Sequence, residues 1–273
     1  MTPDGILDAA ARFSAENPRA RPRTVAAGID VSEAALVAAG IVSVSGPRVT
    51  RLTVPDASFF ASLDSLGPLM ALTRTEGCVL EQTGHYGPPA HAPDGTVRFD
   101  NDGVGLTVRP EEWAFGFFVD EGDKQSFQFF DRSGTAVHKV YAREGTDLVP
   151  INELGERVKC ERQDREVKVE PTPPPRPAAS SGREAPLDAH RAWFEDAAIS
   201  GKPISISVEN RGCGQYFDGP IYRLSAARGW FNVLDPGFNM HLQEQIIGAA
   251  VYLDRRTLRL YDISGRPAVI ISY

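Results

Sequence analysis

Apolar and polar residues alternate in two stretches of the chain that repeat one another. The first runs from Ser126 to Tyr141 and the second from Thr257 to Tyr273, and each contains an alternating run, the motif Asp-x-Ser-Gly, and a second run. Strict alternation is typical of strands with one buried face, and a Gly between two such runs supplies the positive φ of a tight turn. Each stretch is therefore predicted to be an antiparallel hairpin, and the chain contains an internal duplication.

A second repeated motif extends the duplication beyond the hairpins. Gly77-Cys78 and Gly212-Cys213 each open a strand-like run at a similar distance upstream of the two hairpins. The repeated unit is therefore the size of a domain. Few helical patterns and many short alternating runs predict the α+β class, with two related halves that each form a large antiparallel sheet with helices at one end.

Periodicity and capping residues predict helices at the start of the chain and mainly strands after it. The first helices span Gly5–Ser14, Pro22–Gly28 and Ser32–Ala39, with Ser32 as an N-cap. Strands of the first half are predicted at Ile41–Val54, Leu69–Thr73, Cys78–Thr83, Gly103–Val108, Ala114–Val119, Ser126–Asp131 and Ala136–Ala142, with a helix at Asn152–Val158. In the second half a helix at Leu187–Ala198 precedes strands at Ile204–Val208, Gly214–Phe217, Ile221–Leu224, Gly229–Leu234, Ile246–Leu253, Thr257–Asp262 and Ala268–Ser272.

The composition changes sharply between the two halves. From Cys160 to Ala185 the chain is first charged and then rich in proline, so it cannot bury enough apolar surface to fold and is predicted to be a semi-stiff linker. The predicted organisation is an N-terminal half over residues 1–160, with a helical cap over 1–40 and a sheet over 41–160. A linker over 161–185 and a shortened C-terminal repeat over 186–273 follow.

Net charge and terminal sequence exclude several classes of protein. The formal net charge of −7 disfavours a nucleic-acid partner, because phosphate binding requires clustered positive charge. The residues after Met1 lack the basic and apolar regions of a secretion signal, and no apolar run is long enough to span a membrane. Three widely separated cysteines are typical of reduced thiols, so we expect a cytoplasmic protein without membrane insertion.

One segment resembles a helix-turn-helix motif when taken alone. It runs from Arg21 to Leu36, but its second helix offers Glu33 and a row of Ala and Val where base-reading helices carry Arg, Lys, Asn or Gln. We therefore favour a helical cap packed on the first sheet. A DNA-binding regulator that uses these helices is the less favoured alternative.

Several irregular motifs resemble the haemin-degrading, haem-utilisation family of HemS, ChuS and HmuS. They are Gln128-Phe-Phe-Asp131 with Ala136-Val-His-Lys-Val-Tyr141, Asn210-Arg-Gly-Cys213, Gly219-Pro-Ile221, and the run from Gly229 to Leu242. The resemblance covers nearly the whole chain apart from the linker. It implies a duplicated fold that binds one haem in the cytoplasm after uptake, and that either opens the porphyrin to release iron or stores and delivers haem.

The resemblance also implies an axial histidine on a helix just after the linker. His190, in Leu187-Asp-Ala-His-Arg-Ala-Trp-Phe194, follows the linker and is the predicted ligand of the haem iron. A second alignment competes with this one. Counted back from Asn210, the same helix matches the last family helix before the sheet, and the earlier helices with their histidine are then missing from this shorter chain.

The other histidines are weaker candidates for a haem ligand. His138 lies in the repeated hairpin, where a packed, hydrogen-bonded strand histidine is favoured, and His241 is expected to be structural, in a turn. His85 and His91 have a spacing that matches no ligand pair on a helix or strand, so a surface loop is expected.

The family usually carries Asp-Leu-Arg ahead of the tryptophan that matches Trp113, and that arginine faces the haem. Gly105-Leu-Thr107 stands in its place, and Arg109 is the predicted substitute because strand alternation puts it on the same face as Thr107. The chain is thus expected to bind or traffic haem for iron acquisition rather than to degrade it efficiently. A haem uptake transporter or a reductase is an expected partner. A family remnant that no longer binds haem and acts as an interaction protein is the alternative.

Overall fold

The computed structural model describes residues 1–41, 46–100, 103–122, 124–172 and 182–273. Its α-helices are α1 (Pro3–Glu16), α2 (Pro22–Gly28), α3 (Glu33–Ala39), α4 (Ala57–Leu63), α5 (Leu148–Arg157) and α6 (Ala189–Ser200). The strands of the first half of the sequence are β1 (Arg48–Leu52), β2 (Leu69–Arg74), β3 (Cys78–Gly84), β4 (Ala90–His91), β5 (Val97–Phe99), β6 (Gly105–Val108), β7 (Phe115–Asp120), β8 (Gln125–Phe130) and β9 (Ala136–Ala142). Those of the second half are β10 (Arg183–Glu184), β11 (Ile204–Glu209), β12 (Cys213–Gly219), β13 (Leu224–Ala227), β14 (Trp230–Asp235), β15 (Phe238–Gln243), β16 (Ile247–Tyr252), β17 (Thr257–Asp262) and β18 (Pro267–Ser272).

The first compact unit combines two stretches of chain, Met1–Leu69 and Arg109–Thr172. Its strands are ordered β1-β7-β8-β9 with antiparallel pairing. Helix α3 begins after Ser32, whose hydroxyl accepts a hydrogen bond from the backbone N–H of Ala35 as predicted for an N-cap. Ala34 and Ala38 are fully buried in a cluster with Phe117 and Phe130 of the sheet. Helix α3 therefore packs on the sheet of this unit, and the predicted cap over residues 1–40 stays a prediction.

Glu33 of the cap is buried in an ion pair rather than exposed on a DNA-facing surface. Its carboxylate lies 2.6 Å from Nζ of Lys139 on β9, and both side chains are less than a tenth exposed. The Lys139 ammonium also lies over the ring of Phe130, 5.6 Å from its centroid. This charge pair joins α3 to the sheet.

The second compact unit combines Met70–Val108 with Pro173–Tyr273. One set of its strands is ordered β2-β3-β15-β14-β13, and a nine-stranded sheet is ordered β10-β16-β17-β18-β11-β12-β6-β5-β4. Strands from the two halves of the sequence therefore pair directly, β3 with β15 and β12 with β6. A large apolar core includes Phe194 of α6, Leu258 and Leu260 of β17, and Phe231 of β14.

The duplication predicted from the sequence is confirmed in detail. In each hairpin the turn aspartate, Asp131 or Asp262, accepts hydrogen bonds from the backbone N–H groups two and four residues later. The turn glycines, Gly134 and Gly265, have φ of 75° and 76°. Both hairpins also carry a register irregularity at the same position of the first strand. The duplicated α+β fold is therefore confirmed.

The duplication assigns each element of the second half a counterpart in the first. Edge strand β10 pairs with β16 as β1 pairs with β7, and β17 and β18 correspond to β8 and β9. Helix α6 directly precedes β11, as α4 and a short 3-10 turn precede β2. Helices α1–α3 precede β1, whereas residues 158–172 and 182, the described part of the chain ahead of β10, contain no helix. The described second half thus lacks a counterpart of the cap.

Several element predictions are wrong in informative ways. Helix α4 was not predicted, and the strand expected at Ile221–Leu224 begins only at Leu224. Residues 239–242, expected as a turn, lie within β15. The strand expected at Ile41–Val54 is β1 alone, and residues 42–45 of that prediction lie outside the described residues. The predicted domain boundaries divide the chain by its sequence repeats, whereas each compact unit combines two separate stretches of chain. These boundaries therefore stay a prediction.

Candidate functional site

The predicted iron ligand His190 lies in the first turn of α6 and is only 1% exposed. The helix begins after Asp188 and ends at Gly201, which adopts the left-handed conformation typical of a helix C-terminus. The imidazole packs edge-on against the ring of Phe231, with 5.4 Å between ring centroids, and lies near Phe194. His190 is therefore part of the apolar core beneath α6.

Both ring nitrogens of His190 face acceptor oxygens of the chain. Nδ1 lies 3.2 Å from the carbonyl oxygen of Leu187, and Nε2 lies 2.9 Å from Oε1 of Glu244. The Glu244 carboxylate also accepts two hydrogen bonds from Arg191, 2.7 Å from Nε and 2.6 Å from Nη2. This pair of hydrogen bonds from Arg191 fixes Glu244 beside Nε2 of His190.

The protonation of this cluster opposes a bond to iron. Burial lowers the pKa of His190, although the hydrogen bond and the charge of Glu244 partly offset that effect. Hydrogen bonds from Arg191 and His190 outweigh burial at Glu244, so the pKa of this carboxyl is lowered and it is ionised at neutral pH. A neutral imidazole that donates Nε2–H to a carboxylate has no lone pair on that nitrogen for a metal.

The described geometry at His190 does not fit a haem ligand. Nε2 is bonded to Glu244, the Leu187 carbonyl oxygen lies 3.2 Å from Nδ1, and the rings of Phe231 and Phe194 lie beside the imidazole. Comparison of the two repeats leads to the same conclusion. Helix α6 of the second half corresponds to α4 of the first half and not to one of the helices α1–α3. This is the arrangement expected if the family helices that carry the histidine are missing. His190 as the axial ligand stays a prediction, tested in the Discussion.

Arg109, which was predicted to replace the arginine that faces the haem, belongs to the first compact unit. Strand β6 ends at Val108, and Arg109 is the N-cap residue of a 3-10 turn that begins at Pro110. The alternation that would place Arg109 on the same face as Thr107 therefore stops one residue before it. The side chain is half-buried, and its role toward haem stays a prediction.

His138 is confirmed as a packed strand histidine. It is 2% exposed and roughly parallel to the indole of Trp113, with 6.1 Å between ring centroids. Desolvation lowers its pKa to about 3, so the ring is neutral in the folded protein. In the second hairpin Val269 occupies the position of His138, because it pairs with Leu260 as His138 pairs with Phe129. Val269 belongs to the apolar core.

The neutral burial of His138 predicts a pH dependence of stability. Its pKa is lower in the folded state than in the unfolded chain, so between about pH 6.5 and 3 the unfolded chain binds a proton that the folded protein does not. The free energy of unfolding should fall in that window by about 1.4 kcal/mol per pH unit from this group. Urea unfolding at pH 7.5, 5.5 and 4.5 should show that His138→Val loses this part of the dependence. An identical slope in both proteins would contradict the assignment.

The remaining histidines do not form a metal site with their neighbours. His241 lies on β15 and bonds through Nδ1 to Asn232, 2.8 Å away. His85 and His91 are exposed, as predicted, although His91 lies on the short strand β4. Throughout the described ranges, no group of three or more His, Cys, Asp or Glu side chains could hold a metal ion.

Sequence reasoning missed two polar residues, Arg259 and Tyr261 on β17. The Arg259 Nε and the Tyr261 hydroxyl oxygen are buried and have no hydrogen-bond partner in the part of the chain that the structure describes. The signal that could have found them is the duplication itself, because the corresponding residues of β8 are Gln128 and Phe130.

Two family models match the chain, one in each half. The model described as haem utilisation ChuX/HutX matches residues 50–151, and the model described as haemin-degrading HemS.ChuX domain matches residues 178–265. Among curated proteins, the Hemin transport protein HmuS of Yersinia pestis is 28% identical over 281 residues, which cover 85% of this chain and 79% of HmuS.

Solved structures of PhuS, a heme-binding protein from Pseudomonas aeruginosa, have the same fold. The apo form gives a TM-score of 0.89 at 28% identity and covers 99% of this chain and 93% of PhuS. The holo form gives 0.89 at 27% identity and covers 100% and 93%. None of the helices in the described residues is both long and apolar enough to cross a membrane.

Proposed function

Because the chain belongs to the haem-utilisation family, we propose that it binds haem and acts in haem trafficking or iron acquisition. The observation that carries the proposal is the match of haem-utilisation models to both halves, together with the full-length likeness to holo-PhuS. A fold alone does not fix a function, but here the likeness extends to relatives whose names specify hemin transport and heme binding.

The proposed place of action is the cytoplasm, where the protein receives haem from an uptake transporter. The acidic net charge of −7 favours a small-molecule ligand over nucleic acid. A reductase is a required partner only for ring opening, because that reaction consumes electrons that the chain's own residues do not supply.

Binding and delivery are favoured over ring opening. Thr107 occupies the position at which the resemblance expects an arginine facing haem, and Nε2 of the predicted axial ligand is bonded to Glu244. Oxygen activation needs both a fixed axial donor and an ordered distal donor. The bond from Nε2 of His190 to Glu244 opposes the first requirement, and Arg109 as the distal donor stays a prediction.

Titration of the purified protein with haemin tests the proposal. Saturable binding with one haem per chain and a shifted, sharpened Soret band are expected, and apomyoglobin should then withdraw the haem. A spectrum identical to that of haemin in buffer at every ratio would reject haem binding. That result would favour the family remnant that acts as an interaction protein.

A second experiment separates delivery from degradation. We expect the haemin complex to keep its Soret band for hours with ascorbate under air, with catalase present to remove free peroxide. The free haemin control, which lacks a protein pocket, calibrates non-specific bleaching. Loss of the Soret band with release of chelatable ferrous iron, faster than in that control, would establish ring opening instead.

A further inference from the structure

Strand β13 has a neighbour on one side only among the strands that the structure describes. Its residues Leu224–Ala227 pair with β14, and it stands at the end of the strand order. Just ahead of the strand, the backbone N–H of Leu234 donates to the carbonyl oxygen of Arg223, 2.9 Å away. Because hydrogen-bonded and non-hydrogen-bonded pairs alternate along an antiparallel ladder, the backbone groups of Leu224 and Ala226 point away from β14.

Other edge strands of the protein are protected against further pairing, whereas β13 is not. At β1 the side-chain amide of Gln163 bonds both the N–H and the carbonyl oxygen of Arg51, and the N–H of Cys160 donates to that same oxygen. Strand β10 consists of two charged residues. Strand β4, which holds the same place after β3 as β13 holds after β12, has two residues and follows Pro88 and Pro89. Strand β13 contains neither a charged residue nor a proline, the usual means of protecting an edge.

Two exposed arginines stand at the ends of this uncharged edge. Arg223 directly precedes β13, and Arg228 directly follows it. Neither guanidinium has an ion-pair partner within the residues that the structure describes. In a chain with a formal net charge of −7, the edge of β13 is therefore a local site of positive charge.

The backbone at Arg228 adopts a conformation that arginine does not favour. Arg228 has a φ of 53° and Gly229 a φ of 79°, and the two residues connect β13 to β14. Positive φ at both central residues is typical of the tight hairpin turn for which Asn-Gly is a preferred pair. Residues with long side chains seldom adopt this region, and such exceptions are concentrated at functional sites. Formation of the turn therefore does not account for an arginine at this position.

The two arginines indicate what can pair with the edge. If a second copy of β13 paired with it in antiparallel orientation, the Arg223 end of one strand would lie beside the Arg228 end of the other. Like charges on neighbouring strands are destabilising, so a second copy is disfavoured. An extended segment with acidic side chains has no such conflict, because its backbone can bond to the edge while its carboxylates pair with the guanidinium groups.

We propose that β13 binds an extended acidic segment of a partner protein, which joins the sheet as an additional strand. The backbone of this segment bonds to the N–H and C=O groups of Leu224 and Ala226. Its carboxylates on either side of that pairing bind Arg223 and Arg228. The side chain of Tyr222, which is 62% exposed, offers apolar surface at one end of the strand. The proposal concerns a protein partner and does not depend on haem binding.

Amide hydrogen exchange followed by NMR tests the edge directly. In the free protein the amides of Leu224 and Ala226 should exchange faster than those of Ser225 and Ala227, which bond to β14. The probe is the synthetic peptide Glu-Asp-Val-Thr-Val-Thr-Asp-Glu, and Lys-Lys-Val-Thr-Val-Thr-Lys-Lys is its control. In excess, the acidic peptide should slow exchange at Leu224 and Ala226 at least about tenfold, and the basic peptide should not.

Four variants separate the contribution of the backbone from that of the charges. Ala226→Pro removes one N–H of the edge and should abolish peptide binding without unfolding the protein, because proline is tolerated in edge strands. Ala226→Val keeps that N–H and should bind the peptide as the wild type does. Arg228→Asn creates the preferred Asn-Gly turn, so it should unfold at the same or a higher urea concentration and yet bind the acidic peptide at least about threefold more weakly. Arg255→Asn, which removes an exposed arginine from another turn of the same unit, should match the wild type.

Other results would overturn the proposal. Slow exchange at Leu224 and Ala226 in the free protein would show that the edge is already covered. Equal binding of the two peptides, or unchanged binding by Ala226→Pro, would reject pairing of an acidic strand. Self-association of Arg228→Asn with unchanged peptide binding would mark the arginine as a protection against aggregation. A lack of protection by the acidic peptide at millimolar concentration would reject this class of partner.

Discussion

Glu33→Ala is expected to lower the free energy of unfolding by about 3–5 kcal/mol, the range for removing one partner of a buried ion pair. The reason is the charge that remains. Lys139 is less than a tenth exposed and lies 2.6 Å from the Glu33 carboxylate, so without that carboxylate its ammonium stays in the cap interface uncompensated. Urea unfolding followed by tryptophan fluorescence measures the loss.

The double variant Glu33→Leu with Lys139→Met is the control for this prediction. It removes both charges and keeps apolar volume, so most of the lost stability should return. An exposed pair gives the comparison: Glu156→Ala breaks the contact to Lys159, in which both side chains are well exposed, and should cost about 0–1 kcal/mol. A loss from Glu33→Ala as small as that from Glu156→Ala would mean that the cap is not held by this pair.

His190→Ala is expected to lower the free energy of unfolding by about 2–4 kcal/mol, from lost packing and lost hydrogen bonds. The imidazole fills space beside Phe231 and joins α6 to Glu244, 54 residues later in the chain. Haemin affinity and the Soret position should stay as in the wild type, because Nε2 is bonded to Glu244 and the Leu187 carbonyl oxygen lies 3.2 Å from Nδ1, where an iron would have to bind. Urea unfolding and haemin titration of the same preparation measure both quantities.

Asp188→Ala serves as the matched control on the same helix. Asp188 is exposed and its side chain makes no capping hydrogen bond, so its replacement should change stability by less than about 0.5 kcal/mol. A haemin affinity at least about tenfold lower in His190→Ala, with a changed Soret band, would instead establish His190 as the axial ligand. Nε2 would then have to exchange Glu244 for iron when haem binds.

The two variants lie in halves of the chain that differ in their helices. In the first half, helix α3 packs on the outward side of the sheet and is joined to it by a buried charge pair. In the second half, the described residues ahead of β10 contain no such cap, and the corresponding side carries the buried donors of Arg259 and Tyr261, which have no partner among the residues that the structure describes.

The sequence by itself determined the local structure of the repeated hairpins. Alternation and the Asp-x-Ser-Gly turn are set by neighbouring residues, so the strands Ala136–Ala142 and Thr257–Asp262 were predicted with their exact bounds. The same holds for α2 and for the Ser32 cap of α3, which depend on backbone geometry within one turn. The duplication follows because two copies of one local pattern need no knowledge of long-range contacts.

Only the tertiary structure decided which parts of the halves pair and what surrounds the candidate ligands. The pairing of β3 with β15 brings together residues that lie far apart in the chain, and no local pattern specifies it. His190 was predicted as a ligand because its place on the helix after the linker is visible in the sequence, whereas its partner Glu244 is not. Arg259 and Tyr261 likewise read as ordinary strand residues until the sheet assigned their side and the described chain offered them no acceptor. Hydrogen bonding and burial are properties of the folded neighbourhood, and for these residues that neighbourhood is assembled from distant segments.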